Sequence, residues 1–255
     1  MAERAMALVA EIIDSLEHRP YAAGRPPMAT IKVVETLHYF LREGVQWREL
    51  RATAGRARGA TLRRRLDDWG AVALLRRVHV VLLHMVRSGP ATMPWDVVVD
   101  SCSVRAKRGG ELTGRNPTDR GKLGTKYHVV VATDGLPLGA VPSAANVHDT
   151  RLFPHLLHLA LAVCAAIAKL YADAGYDSAD NRRLCLDEGI QPYIRQIGEA
   201  HGSGLGRVRS VVEHDCAWLL TNKRHDRRQD RLGHVILALL TTACIFIVAN
   251  RIHAF

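Results

Sequence analysis

Beyond Pro90 the sequence alternates strand-like and helix-like segments, and this order constrains the fold more than any other feature of the chain. Three short apolar segments come first, and an Asp-Gly turn closes the second of them. A long apolar helix is predicted over residues 148–168, followed by a strand, a short helix that stops at a glycine, and a last strand. This alternation predicts a mixed α/β domain.

The predicted order of elements also indicates a particular fold. Three strands, a helix, a strand, a helix and a strand is the order of a ribonuclease H-like domain. We therefore predict a mixed five-stranded sheet flanked by helices over residues 89–255, with two closing helices near Val211–Leu220 and Leu232–Arg251. The apolar stretch Val235–Ala249 is shorter than the roughly 20 residues that span a membrane, so we predict a buried core helix there.

Residues 1–88 are predicted to form a separate, small, all-helical domain. Residues 30–43 and 62–69 repeat apolar side chains at helical spacing, and a short helix is predicted to begin at Trp47 between them. Three short helices with glycine turns resemble a helix-turn-helix. Six arginines and no acid occur from Arg51 to Arg65, so we predict DNA contacts there. The candidate residues are Arg56, Arg58, Arg63, Arg64 and Arg65.

The charge balance of the whole chain points to the same kind of partner. Lysine and arginine number 35 against 25 acidic residues, a formal charge of +10. Such an excess favours nucleic acid as partner, with a merely soluble basic protein as the alternative. The five cysteines are scattered without a CxxC pair and no signal peptide is evident. These features predict a cytoplasmic protein with reduced thiols and no zinc site.

Two aspartates directly follow strand-like segments. Asp100 ends a run of valines, and Asp173 ends a shorter apolar segment. Functional groups of α/β sheets gather beyond the carboxyl ends of strands, although a turn or cap role is the alternative for either residue alone. Glu213 lies one turn into a predicted helix, at the edge of its apolar face. Three such carboxylates suit Mg²⁺ or Mn²⁺, and a pair of these ions can serve displacement at a phosphodiester.

A basic segment follows Asp100. Seven basic residues occur from Arg105 to Lys126 against two acids, and glycines interrupt the segment. We predict phosphate contacts from this loop, with Arg105, Lys107, Arg108, Lys122 and Lys126 as candidates. A second basic cluster, residues 223–231, fits a solvated face as well as it fits DNA contact. Asp149 precedes a predicted helix and is interpreted as its cap residue.

Several segments resemble one known family. They are "VVVDSCSVRA", "NPTDRGKLGTKYH", "ANVHDT", "YADAGYDS" and "VVEHDCAWL". They look like bacterial insertion-sequence transposases with an Asp-Asp-Glu triad, in the large family founded on insertion sequence five. The resemblance implies that Asp100, Asp173 and Glu213 are the catalytic acids and metal ligands. Arg209 stands where the family has an arginine four residues before its glutamate, and it is expected to contact DNA.

The resemblance implies a DNA transposase. Such a protein binds the inverted-repeat ends of an insertion sequence through its N-terminal helices, hydrolyses the 3′ phosphodiesters and joins the freed 3′ hydroxyls to target DNA. Its partners are double-stranded DNA and further copies of itself on paired ends, and no membrane is involved. Two alternatives remain open at this point: a divalent-metal nuclease that cuts without strand transfer, and a non-catalytic DNA-binding relative of a transposase.

Overall fold

The protein is described by a computed structural model that covers residues 2–18, 26–87, 94–196 and 216–252. In the described part of the N-terminal region four helices precede the sheet: α1 (Ala2–Leu16), α2 (Thr30–Glu43), α3 (Gly59–Ala71) and α4 (Leu74–Val86). The predicted helix at Trp47 is wrong, because residues 47–49 form only a turn. A single turn makes too few hydrogen bonds to propagate. The helical triplet predicted over residues 30–70 is therefore replaced by α2, a turn and α3.

The sheet contains every strand that the sequence predicts and one short additional strand. Its strands are β1 (Trp95–Arg105), β2 (Gly114–Arg115), β3 (Leu123–Ala132), β4 (Pro137–Ala144), β5 (Ile167–Ala172) and β6 (Gln191–Ile194). β3 runs antiparallel to β1 on one side and to β2 and β4 on the other. β5 pairs in parallel with β1 and with β6. The described sheet therefore has the order β4–β3–β1–β5–β6, and the prediction of a mixed sheet is confirmed.

β1 is longer than predicted. The sequence suggested a strand that ends on Asp100, but Val104 is again buried between the exposed Ser103 and Arg105, and β1 pairs with β3 as far as Arg105. The parallel pairing of β1 with β5 stops earlier, at Val99. Asp100 therefore lies inside the antiparallel ladder and directly beyond the end of the parallel one.

Helices flank both faces of the sheet. Alternate residues of a strand point to opposite faces, so Val99 and Val98 belong to two different hydrophobic clusters. The face of Val99 packs against α5 (Phe153–Leu161) and the neighbouring α6 (Ala179–Asp187). The face of Val98 packs against helical residues 216–221 and the last helix, α8 (Gly233–Ile252). The short helix α7 (Lys223–Asp226) connects these two segments.

α8 is a core helix, as the sequence predicts. By length and composition it could cross a membrane, but 67% of its apolar window is buried inside the protein. It contacts α1, α3 and α4 on one side and β4 on the other. Its buried residues accordingly divide between both hydrophobic clusters. A helix that is apolar on all sides needs this kind of enclosure.

The N-terminal helices share their hydrophobic core with the sheet. One cluster contains residues of α1–α4, of α8 and of the Val99 face. Arg76 of α4 adds a polar link, because its guanidinium donates to the carbonyl of Leu138 on β4 and to that of Leu159 on α5, both at 2.9 Å. The division of the chain into residues 1–88 and 89–255 stays a prediction.

Substitution of Leu240 tests the contribution of α8 to stability. Leu240 is fully buried against the sheet, so Leu240→Ala should lower the free energy of unfolding by about 2–5 kcal/mol. Leu237 lies on the same helix with 42% of its surface exposed, so Leu237→Ala is the matched control and should change stability little. Urea unfolding followed by circular dichroism measures both. Equal losses for the two variants would contradict the assigned burial.

Candidate active site

Asp100 and Asp173 lie side by side at the carboxyl end of the parallel β1–β5 ladder. The last two register pairs of β1 and β5 are Val98 with Tyr171 and Val99 with Ala172, and the two aspartates are the next residue on each strand. Paired strands lie about 4.8 Å apart, so the two backbones meet at this point. Both aspartates line one cavity of about 30 Å³. That volume has room for an ion or a water molecule.

Local backbone structure orients both carboxylates. Oδ1 of Asp100 accepts a hydrogen bond from the backbone N–H of Ser101 at 2.7 Å, and the residue is held in register with Val129 of β3. Oδ1 of Asp173 accepts from the backbone N–H of Gly175 at 3.0 Å and caps the 3₁₀ turn that follows β5. Both side chains are half-buried. The carboxylates are therefore positioned by the fold before any ligand arrives.

Asp149 is a third carboxylate near the two aspartates, and its predicted role as a helix cap is wrong. The cap residue is His148, whose side chain accepts from the backbone N–H of Thr150. Asp149 instead accepts from the Nζ of Lys126 at 2.6 Å. A methyl carbon placed on Gly175 would lie 2.8 Å from Oδ2 of Asp149 and 3.1 Å from Oδ1 of Asp173. The two carboxylates thus approach the same point, and only glycine leaves them room.

A buried polar network lies beside Asp149. His128 bonds through Nδ1 to the hydroxyl of Tyr176 at 3.1 Å and through Nε2 to the hydroxyl of Ser143 at 2.8 Å. Burial lowers the pKa of His128 to about 4, so at neutral pH the cation beside Asp149 is Lys126. Burial raises the pKa of Tyr176 well above its ordinary value, and nearby carboxylates, Asp149 first, add to the shift. The phenol therefore stays protonated.

The basic residues predicted near the carboxylates divide into two groups. Lys107, Arg108 and Lys122 are exposed. Arg105 is also exposed, but its guanidinium pairs with Asp119 at 2.8 Å. Lys126 is largely buried in its pair with Asp149 and so acts within the protein. Arg105, Lys107 and Arg108 line a groove of about 620 Å³ together with residues 226–229.

Two of the five basic residues in the second cluster, residues 223–231, are buried and structural, and the other three are exposed. Arg224 is buried and makes two hydrogen bonds to the carboxylate of Asp230, at 2.7 and 2.6 Å. Arg228 is also buried and donates to the carbonyls of Gly109 and Glu111. Neither alternative in the sequence analysis, a solvated face or DNA contact, fits these two residues. Arg228 anchors the segment after residue 216 to the loop that follows β1, whereas Arg224 anchors it to the carbonyl of Val45.

The N-terminal arginines differ in exposure. Arg58, Arg63 and Arg64 are exposed, and Arg56 is half-buried with its guanidinium 4.2 Å from the ring centre of Tyr39. Arg65 is buried and pairs with Glu17 at 2.8 Å. This placement removes Arg65 from the surface available to DNA. The sequence could not reveal it, because the two partners are 48 residues apart.

Glu213 and Arg209 lie outside the described residues. Cys216 and Leu219, which follow Glu213 closely in the chain, pack on the sheet face that carries Val98 and Val129. Asp100 is two residues after Val98 on β1, so its side chain lies on the same face of the sheet as that of Val98. Cys216, three residues after Glu213 in the chain, therefore lies on the same sheet face as Asp100.

The donor set fits a hard divalent cation. Among the described residues no group of three or more His, Cys, Asp or Glu side chains is placed to hold a metal. Asp100 and Asp173 supply carboxylate oxygens at a cavity of ion size. Mg²⁺ is commonly held by one or two carboxylates together with water and substrate phosphates, and two carboxylates meet that requirement.

Comparison with known proteins identifies the family. The family described as "Transposase DDE domain" matches residues 92–247, which include both aspartates and most of α8. The chain belongs to the DDE transposase family. A Burkholderia cepacia protein named as a transposase for insertion sequence element IS402 is 37% identical over 183 residues, covering 65% of this chain and 82% of that protein.

A second relative aligns over a shorter span. The 16.2 kDa protein of insertion element IS402 from Burkholderia cepacia is 34% identical over 94 residues. The alignment covers 37% of this chain and 64% of that protein. Both relatives therefore belong to insertion elements, as their names state.

Gly175→Ala tests the close approach of Asp149 and Asp173. The added methyl group would meet Asp149, whose carboxylate is held by Lys126, so one of the two carboxylates must move. We expect DNA cleavage by this transposase to fall at least tenfold, because displacements near 1 Å at an active site cost about 100-fold. Gly55→Ala is the control, since no atom lies within 4 Å of its added carbon. Cleavage by Gly175→Ala at the wild-type rate, with an unchanged melting temperature, would contradict the prediction.

Proposed function

We propose that the protein is a DNA transposase that binds the inverted-repeat ends of an insertion sequence, cleaves the 3′ ends and joins them to target DNA. The observation that carries this proposal is the meeting of Asp100 and Asp173 beyond the last β1–β5 pair, in a chain of the DDE transposase family. We assign the chain to the group founded on insertion sequence five, on the motifs given above.

The sheet supports a ribonuclease H-like fold for residues 89–255. In the order β4–β3–β1–β5–β6, β3 runs opposite to its neighbours, and the remaining four strands are parallel to one another. This arrangement places Asp100, inside β1, at the carboxyl edge of the parallel β1–β5 ladder, next to the end of β5. Groups at that edge of a parallel ladder face a crevice in which substrate can bind.

The proposed chemistry uses the acids as ligands. Asp100, Asp173 and Glu213 would hold Mg²⁺ or Mn²⁺, and the bound ions supply activation of the nucleophile and stabilisation of the leaving oxygen. Cleavage is an in-line displacement in which water attacks the phosphodiester and the 3′ oxygen leaves. Joining repeats it: the freed 3′ oxygen bonds to a target phosphorus while the bond from that phosphorus to the target's own 3′ oxygen breaks. In both steps the attacking group loses a proton and the leaving 3′ oxygen gains one. The backbone N–H groups of Ser101 and Gly175 keep the two aspartates oriented in both steps.

The exposed cations are proposed to contact DNA phosphates. On the N-terminal segment these are Arg58, Arg63 and Arg64, joined by the half-buried Arg56, and beside the carboxylates they are Arg105, Lys107, Arg108 and Lys122. Arg209 is added from the family pattern. We assign recognition of the ends to residues 1–88, and we propose that a homo-oligomer holds two ends together.

Asparagine substitutions test the catalytic assignment. Asp100→Asn and Asp173→Asn keep the side-chain shape but remove a negative charge from the metal site, so cleavage of a duplex bearing the flanking inverted repeat should fall at least 100-fold. Binding of the duplex should persist. Asp96→Asn is the control, because Asp96 lies on β1 but its carboxylate is 3.9 Å from Lys169.

The same assay separates the alternatives. Joined strands indicate a transposase, nicks alone indicate a nuclease, and binding without either indicates a non-catalytic relative. Cleavage by wild type should stop when EDTA removes the metal. Wild-type rates in Asp173→Asn, or cleavage in excess EDTA, would refute the proposed mechanism. Glu213→Gln should behave as the aspartate variants do.

Two adjacent arginines test the DNA-binding assignment. Arg64 is exposed, so Arg64→Ala should weaken binding of the duplex and reduce the slope of log K against log salt by about 0.9, with stability unchanged. Arg65 is buried with Glu17, so Arg65→Ala should lower the free energy of unfolding by about 3 kcal/mol. Arg183→Ala on α6 removes an exposed charge elsewhere and serves as the control. Equal binding by Arg64→Ala and wild type at all salt concentrations would exclude Arg64 from the DNA contact.

A further inference from the structure

Two tyrosines stack on each other close to the catalytic aspartates. Tyr171 of β5 and Tyr193 of β6 are register partners, and their ring centroids are 5.1 Å apart with 20° between the planes. Tyr193 is 45% exposed. Tyr176, by contrast, is fully buried and bonded to His128, as expected of a tyrosine that serves packing. The stacked pair therefore presents an aromatic surface to solvent.

The register places this pair one row from the aspartates. Tyr171 is two residues before Asp173, so it shares the same face of the sheet at a distance of about 7 Å along the strand. Tyr171 also lines the cavity that holds Asp100 and Asp173. The nucleotide next to a phosphodiester bound at the aspartates would therefore reach the tyrosine pair.

Positive charge borders the tyrosine row on both sides. Arg195 follows the last β5–β6 register pair, its backbone N–H donates to the carbonyl of Ala172, and it lines the same cavity as the aspartates. Lys169 precedes Tyr171 by two residues on the same face and is exposed, with its Nζ 3.9 Å from Oδ2 of Asp96. An aromatic surface with a cation on each side suits one nucleotide of a DNA strand. Its base can stack on the rings, and the phosphates before and after it can lie near the cations.

We propose that Tyr171 and Tyr193 form a stacking platform for one nucleobase of the cleaved strand, held out of the duplex beside the reacting phosphodiester. The inference rests on the proposed function, because it requires a phosphodiester at Asp100 and Asp173. Stacking on an aromatic side chain tolerates any base, so the platform positions the strand without reading its sequence. Unstacking a base from an intact duplex costs free energy, and stacking on the aromatic pair offsets part of that cost.

The test combines protein and DNA substitutions. Single-turnover cleavage is measured on the inverted-repeat duplex, intact or with an abasic site at the nucleotide flanking the cut. Tyr193→Ala should slow cleavage of the intact duplex about tenfold, the effect of losing one stacked base. Tyr193→Phe keeps the ring and should cleave as wild type does. On the abasic duplex wild type and Tyr193→Ala should be equal, because the platform has no base to hold.

A matched control and a second readout accompany this test. Leu186→Ala removes an apolar side chain of 59% exposure from α6 and should leave cleavage unchanged. A 5-iododeoxyuridine at the flanking nucleotide should photocross-link to Tyr193 or Tyr171 in EDTA, without cleavage. Equal slowing by Tyr193→Ala on both duplexes, or wild-type cleavage by it, overturns the platform alone. Absence of any metal-dependent cleavage by wild type overturns the proposed function and the platform together.

Discussion

Burial of α8 between the N-terminal helices and the sheet is the interaction on which the rest of the structure depends. Val235, Leu239 and Phe246 pack in the cluster that contains α1–α4, whereas Ile236, Leu240 and Ile247 pack against the sheet. Each large aliphatic side chain removed from water contributes about 1.5–3 kcal/mol, so neither set can be left exposed. The sheet face that carries Asp100 is fixed because α8 covers its neighbouring residues.

Buried cations complete this scaffold. Arg76 joins α4 to the sheet, and Arg228 holds the loop after β1. Arg224 of α7 pairs with Asp230 and donates to the carbonyl of Val45, which follows α2. Removing one partner of such a pair would leave an uncompensated buried charge, which is strongly destabilising. The positive charge of the chain is therefore divided between internal links and the exposed residues that remain for DNA. Net charge alone overstates the DNA-binding surface.

The candidate site follows from where strand pairing ends. The β1–β5 ladder stops at Val99 and Ala172, and Asp100 and Asp173 are the residues that follow this last pair. The two aspartates are therefore neighbours. Gly175 allows Asp149 to approach the second aspartate, and Lys126 balances the added negative charge. The stacked tyrosines stand one row away on the neighbouring β5–β6 ladder. The pairing of β5 with β1 and with β6 therefore brings the carboxylates and the stacked tyrosines close together.

The sequence by itself determined the elements with local periodicity: the strands, the buried helix α8, and Asp100 and Asp173 at the ends of apolar runs. It could do so because the spacing of apolar residues depends only on neighbours along the chain. Tertiary structure alone decided that β1 continues past Asp100, that Arg65 and Lys126 turn inward, and that Asp149 and Tyr193 join the site. Each of these outcomes depends on a partner distant in sequence, such as Glu17 for Arg65 or Tyr171 for Tyr193, and local spacing carries no information about which distant residues meet.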